Sequence, residues 1–258
     1  MEVPRALLVG LHFKGNRFKM SFLQVERLIK SFGGLMALCE VNFEIYQGEI
    51  FGVIGPNGSG KTTLFNVITG FLKANKGKVT FMGKDITGLP PHQICRQGIA
   101  RIFQLVKPFH QLTTLQNVMV GRAYGKDPAT NIRRAKEEVV GILNFVGLGN
   151  KIEVIASQLT MAERKKLELA RALAAHPQLL LLDELMAGLN SAETETAMNL
   201  VNKIKDSGVT VVMVEHIMKA VLGISDRIIV LNAGEKIAEG SPKEVVKNQL
   251  VIEAYLGK

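Results

Sequence analysis

The residues Gly55-Pro56-Asn57-Gly58-Ser59-Gly60-Lys61-Thr62 fit the spacing G-x-x-x-x-G-K-[ST]. Each residue type there has a chemical task. Glycines let the backbone bend until successive N–H groups point inward at phosphate oxygens. A helix beginning at the end of the loop adds the positive end of its dipole. Lys61 has the length and charge to reach β- and γ-phosphates, and the Thr62 hydroxyl can ligate Mg²⁺. Thr63 follows in the same turn and is counted with the cradle. A plain strand-to-helix turn with an exposed lysine would need only one or two of these glycines, so the spacing reads as a nucleotide-binding loop. Hydrolysis does not follow from this loop alone.

A second group with chemistry is Leu179-Leu180-Leu181-Leu182-Asp183-Glu184, an apolar run that ends in two carboxylates. Side chains at the C-terminal end of a central parallel strand face the ligand crevice. Taken alone, the run is equally a strand ending in solvated acids. With a phosphate loop upstream, Asp183 is expected to partner Mg²⁺ through water, and Glu184 to act as general base on an attacking water.

These residues need elements to hold them. Val41–Ile45 alternates with period two, as a half-buried strand does, and Ile50–Ile54 is a nearly pure apolar run that reads as a buried strand. Further strands are expected at Val79–Met82, Ile99–Phe103, Leu179–Leu182, Val209–Val214 and Arg227–Leu231. Helical patterns alternate with several of them. One runs over Thr62–Thr69 and stops at Gly70. Another is expected to open at Asp127-Pro128, with Pro at its first position, and to end before Gly147. Ser191 is expected to cap a third, and Ser241-Pro242-Lys243-Glu244 spells a capping box with Pro at N1. Strands separated by helices predict an α/β fold with a mostly parallel sheet covered on both faces. The stretch from about 105 to 175 lacks a strand pattern and is expected to form an inserted helical subdomain. Residues 1–19, interrupted by Pro4, Gly10, Gly15 and Asn16, are expected to be a flexible extension ahead of a domain over 20–258, with Met20 as a possible start.

With 258 residues the chain can bury a sizeable core, and with 47% hydrophobic and 21% charged residues it is neither disordered nor fibrous. Its longest apolar runs fall far short of the roughly 20 residues a membrane-spanning helix needs. A formal net charge of +9 suits nucleic acid, an anionic membrane surface or phosphate ligands without choosing among them. Cys39 and Cys95 show no metal-type spacing and suggest a reducing compartment.

In the order of its motifs the chain resembles the ATP-binding-cassette ATPases. The phosphate loop is followed by Gln104 after the strand at Ile99–Phe103, by Leu159-Thr160-Met161-Ala162-Glu163 opening a helix, by Asp183-Glu184, and by His216 after Val209–Val214. Within that superfamily it looks most like the nucleotide-binding subunits of branched-chain amino acid importers, with urea and amide importers sharing much of the wording. Phe32-Gly33-Gly34, Leu64-Phe65-Asn66, Asp85-Ile86-Thr87-Gly88-Leu89-Pro90-Pro91, Ala100-Arg101-Ile102-Phe103-Gln104, Ala187-Gly188-Leu189-Asn190 and Ala254-Tyr255-Leu256-Gly257 carry the likeness.

The resemblance implies a P-loop NTPase with an N-terminal antiparallel β lobe. It implies ATP and Mg²⁺ as ligands, with Gly55, Pro56, Asn57, Gly58, Ser59, Gly60, Lys61, Thr62 and Thr63 around the phosphates. Phe32 would stack on adenine, although by composition it could equally be core. Gln104 would touch Mg²⁺ and the attacking water, joining Thr62 and Asp183 at the metal, and His216 would hold the γ-phosphate. The segment Thr160, Met161, Ala162 and Glu163 stands where the family writes Ser-Gly-Gly-Gln and would meet the ATP of a second subunit. Both glycines are replaced here, yet Thr160 and Glu163 preserve a capping box. Leu185 stands where Pro is usual, and Asn190 where many relatives have Asp. The implied assembly is a head-to-tail pair of cassettes, identical or paralogous, with two membrane permeases and, indirectly, a solute-binding protein, at the cytoplasmic face of the inner membrane. No nucleic acid partner is expected. Two other classes stay open on the residues: a soluble cassette ATPase acting on nucleic acid or ribosomes, and a small-molecule P-loop kinase.

Overall fold

Gly33 and Gly34 form the two-residue turn of a long hairpin in which Phe32 pairs with Leu35, Gly33 adopting a positive φ. A computed structural model describes residues 21–256. In chain order its strands are β1 (Ser21–Phe32), β2 (Leu35–Tyr46), β3 (Ile50–Ile54), β4 (Lys76–Phe81), β5 (Lys84–Asp85), β6 (Ile99–Ile102), β7 (Leu179–Asp183), β8 (Thr210–Val214), β9 (Arg227–Asn232) and β10 (Glu235–Gly240). Its α-helices are α1 (Lys61–Ile68), α2 (Pro91–Gln97), α3 (Thr114–Tyr124), α4 (Ile132–Phe145), α5 (Met161–Ala174), α6 (Ser191–Asp206), α7 (Met218–Ile224), α8 (Pro242–Val245) and α9 (Gln249–Leu256). The described residues divide into two compact units, one running to Ile94 and resuming at Thr210, the other spanning Cys95–Val209.

The first unit holds an antiparallel sheet in the order β2-β1-β4-β5. Val41, Phe43 and Ile45 are buried along β2 while Asn42 is exposed, the alternation the sequence shows. A second group of strands, β10-β9-β3-β8, is mixed and mostly parallel: β9, β3 and β8 run parallel, and β10 returns antiparallel. All five residues of β3 and of β8 are buried. Stacking of Phe43 on Phe51, with centroids 5.5 Å apart, ties the antiparallel sheet to β3. The second unit holds the parallel pair β6–β7 and the helices α3 to α6.

The expected strands are present with changes of boundary, the largest at β2, which runs over Leu35–Tyr46 where the alternation predicts Val41–Ile45. β4 begins earlier, at Lys76, and ends before Met82, which has φ +49. β6 stops at Ile102, and β8 starts at Thr210 rather than Val209. Two helix starts differ from expectation. α4 opens after Asn131, whose side chain accepts from the Arg134 amide, and not at Pro128. Arg122 donates to the Asp127 carbonyl and the Ala129 amide donates to the Arg122 carbonyl, so residues 127–129 are held as a loop. α6 is capped by Asn190, not Ser191, because Asn190 and Glu193 exchange side-chain and backbone bonds of 2.9 Å in a capping box. Gly147 follows the end of α4 with φ +81, and Glu244 accepts from the Ser241 amide, the return bond of the box at α8, and also from the Ser241 hydroxyl. The extension expected over residues 1–19 lies outside the described residues. Among those described, Cys39 and Cys95 are free thiols, and no helix is long and apolar enough to cross a membrane.

Candidate nucleotide site

β3 delivers the chain into the phosphate loop, and two glycines there have no substitute. A Cβ at Gly55 (φ +152) would lie 2.0 Å from the Leu231 carbonyl oxygen, and one at Gly60 (φ +104) 2.5 Å from that of Ala37. Gly60 is the N-cap of α1 in the left-handed region and brings no side-chain oxygen to the helix's first N–H groups, the condition for an anion to take them. The β9–β10 turn braces the loop: Gly234 donates to the Ser59 carbonyl, and Cys39 of β2 donates to Gly234. Lys61 is buried, and its ammonium donates to the carbonyls of Gly55 and Pro56 at 2.8 Å. It thus spans the loop with its charge at the centre of curvature. Pro56 is half-buried and Asn57, Gly58 and Thr62 are exposed. Phe32 is 46% exposed at the end of β1, with the Lys30 ammonium 5.0 Å from its ring centroid, so it is a surface aromatic and not core. His216 follows β8 and is exposed, beside a buried Glu215.

The other unit gathers the acids. β7 is wholly buried and ends on Asp183, which pairs with Arg101 of β6. The next residue, Glu184, has φ +53, a conformation that costs a non-glycine residue energy unless its surroundings impose it. Gln104 Nε2 donates to Glu184 Oε2 at 2.5 Å, so the structure brings together the two residues that sequence places on the attacking water. Within this unit Gln104 and Asp183 offer hard oxygen donors, and in the first unit the Thr62 hydroxyl is a third candidate. Mg²⁺ takes such ligands few at a time, keeping water and substrate phosphates for its remaining positions. Among the described residues no three or more His, Cys, Asp or Glu side chains cluster as a metal cage.

The segment Thr160–Glu163, which stands where the family writes its Ser-Gly-Gly-Gln signature, caps and begins α5. Thr160 accepts from the Glu163 amide at 3.3 Å, and the Glu163 carboxylate accepts from the Thr160 amide at 3.0 Å. Lys151 lies 3.5 Å from the same carboxylate. The Thr160 amide, followed by Lys151, holds the Glu163 carboxyl below the usual carboxylate range. The negative charge of Glu163 is therefore turned back onto its own helix start. Met161 stands 57% exposed at the first helical position.

Two residues that sequence reasoning left unassigned stand at this site. Arg101 is an arginine inside the apolar run Ile99–Ile102, and a buried guanidinium demands a carboxylate partner. Lys165 lies on the buried face of α5, one turn before buried Leu169. Both signals were readable as charges at core positions.

The sequence profile described as ABC transporter matches residues 38–187. The chain is 39% identical to the high-affinity branched-chain amino acid transport ATP-binding protein LivG of Escherichia coli (strain K12), over 92% of its own length and 98% of that protein. The chain belongs to the ABC transporter family. BraF of Pseudomonas aeruginosa, a protein of the same description, is 38% identical over the same shares of both chains. A second profile, described as branched-chain amino acid ATP-binding cassette transporter, matches residues 235–258 of this cassette. Among solved structures, the ADP conformation of an ATP-binding cassette of an ABC transporter superimposes with a TM-score of 0.85 at 34% identity, covering 93% of this cassette and 100% of the other.

Proposed function

We propose that this cassette is the ATP-hydrolysing subunit of an importer of branched-chain amino acids. The observation that carries the reading is the near full-length match to LivG together with the branched-chain profile at the C-terminus. The phosphate-loop amides and Lys61 bind the β- and γ-phosphates, and Phe32 stacks on adenine. Thr62, Asp183 and Gln104 hold Mg²⁺, which neutralises charge at the phosphates. Glu184 takes a proton from the attacking water, Gln104 orients that carboxylate, and His216 steadies the γ-phosphate. A helical lobe over about 105–175 carries the signature segment 160–163 to the ATP of a second cassette. That partner carries a signature with its glycines in place, so the pair is a heterodimer. Two membrane permeases supply the pore, a solute-binding protein delivers the solute, and the cassette sits at the cytoplasmic face of the membrane.

The test is transport by the complete assembly in proteoliposomes. ATP should drive uptake of leucine, isoleucine or valine with phosphate released to water. Glu184→Gln should keep ATP binding and slow turnover about 10²–10⁴-fold. Phosphate transfer to a small-molecule acceptor, ATP-driven uptake of amides instead, or wild-type turnover in the variant would each overturn the reading.

A further inference from the structure

The ammonium of Lys165 is buried in α5 and donates to three carbonyls of the turn after β7: Leu185 at 2.7 Å, Ala187 at 2.6 Å and Glu184 at 3.4 Å. This is the turn that carries Glu184 at φ +53. A left-handed non-glycine residue persists only where neighbouring contacts over-determine it. Within the turn, the Ala187 N–H donates to the Glu184 carbonyl and the Leu189 N–H to that of Met186, both at 3.2 Å. Leu185 and Met186 of the turn are buried, and a cavity of about 330 Å³ lies beside it, lined by Leu169, Leu185, Leu189 and Leu200. A cation among converging carbonyls is a charge-assisted arrangement, stronger than neutral bonds of the same length.

We infer that Lys165 is a positioning residue for Glu184: it fixes the acid turn to the signature helix and thereby sets where the general base stands. The inference rests on the proposed role of Glu184. Its consequence is mechanical. Thr160 and Glu163 cap α5 one turn before Lys165, so the end of the helix that carries the signature and the base of this cassette's own site move as one block. Without the ammonium, the three carbonyls lose their shared donor and Glu184 can relax to negative φ. Its carboxylate then leaves the position in which Gln104 Nε2 reaches it at 2.5 Å. Nothing in the phosphate loop changes, so ground-state nucleotide binding is untouched while the attacking water loses its base.

The experiment compares Lys165→Met, Lys165→Gln, Lys165→Arg and Glu184→Gln in the complete transporter, with amide hydrogen exchange on the full chain. In Lys165→Met, kcat should fall about 10–100-fold, as small misplacements of catalytic groups do, with the KM for ATP within about threefold of wild type. Exchange at the Ala187 and Leu189 amides should rise about tenfold or more. Lys165→Arg, which keeps the charge and the donors, should recover much of both. If the methionine variant does not fold, Lys165→Gln, too short to reach all three carbonyls, is read against the same numbers. A folded variant with kcat within about twofold of wild type, or with unchanged exchange in the turn, overturns the inference, as does a rise in KM at constant kcat. If Glu184→Gln itself turns over normally, the base assignment has failed instead, and the exchange data alone then decide whether Lys165 holds the turn.

Discussion

Arg101 Nη2 stands 2.6 Å from Asp183 Oδ2, and both side chains are 4% exposed. The guanidinium carbon lies 4.6 Å from the centroid of the Phe103 ring, which shields it further. A buried charge whose partner is removed costs far more than the pair itself contributes. Arg101→Met should therefore lower unfolding free energy by about 3–5 kcal/mol, read from urea denaturation of the nucleotide-free chain. Adding Asp183→Asn should recover part of the loss, because no uncompensated carboxylate then remains. A loss below about 1 kcal/mol, the range of an exposed pair, would mean that water reaches this pair.

Lys61 offers a separate test of the phosphate loop. Its ammonium already spans the carbonyls of Gly55 and Pro56, so its position depends little on the rest of the site. Hydrogen bonds from charged groups contribute roughly 1.5–3 kcal/mol. Lys61→Ala should thus weaken binding of a fluorescent ATP analogue by about 10–100-fold. Unchanged affinity would remove the lysine from the cradle.

These two lysine and arginine sites mark how far the sequence could be read. The phosphate loop was legible because its spacing states its own geometry, and the buried strands because period-two and pure apolar runs have few other uses. Contacts between distant segments were not legible. Arg101 and Asp183 are 82 residues apart, and nothing local names the pairing. Helix starts failed for a related reason. Pro128 is a valid first residue, but Arg122 takes the Asp127 carbonyl and the helix waits for Asn131. At α6 two adjacent residues can both cap, and the reciprocal bonds with Glu193 select Asn190. The left-handed Glu184 has no sequence signal, since glutamate is not a residue that prefers that region.

His176 should make stability depend on pH. It lies just past α5 with φ +54, its Nε2 is buried without a hydrogen bond, and Glu138 Oε2 is 3.9 Å away. Burial, then the nearby Arg122, push its pKa below the ordinary 6.5, against the opposing pull of Glu138 and Asp127. The unfolded chain therefore binds more protons than the folded one just below pH 6.5, and stability falls as pH drops through that window. His176→Asn, a residue that tolerates positive φ, should flatten the fall in melting temperature between pH 7.5 and 5.5. Parallel curves for the two proteins would show that other groups set the slope.

The signature segment leads to a prediction about asymmetry. Thr160 and Glu163 cap α5 fully, so the helix start survives the loss of both family glycines. What differs is the Met161 side chain, 57% exposed at N1, and the added methyl of Ala162. Both put atoms where a partner's phosphates would approach backbone N–H groups. In a heterodimer the partner's glycine-bearing signature completes this cassette's own ATP site, and only the opposite site meets Met161 and Ala162. In a pair of identical chains both sites would meet them. Restoring glycine at both positions should then speed hydrolysis more in the isolated protein than in the complete transporter. The gain is opposed by helix propensity, which costs about 1 kcal/mol per glycine in a helix interior and less at the first turn. Melting curves of Met161→Gly/Ala162→Gly would measure that cost separately. Phosphate release by the double variant, alone and with its partner cassette, decides the matter. Equal acceleration in both settings would mean that the two sites are equivalent, and none in either that the backbone at 161–162 already accommodates the larger side chains.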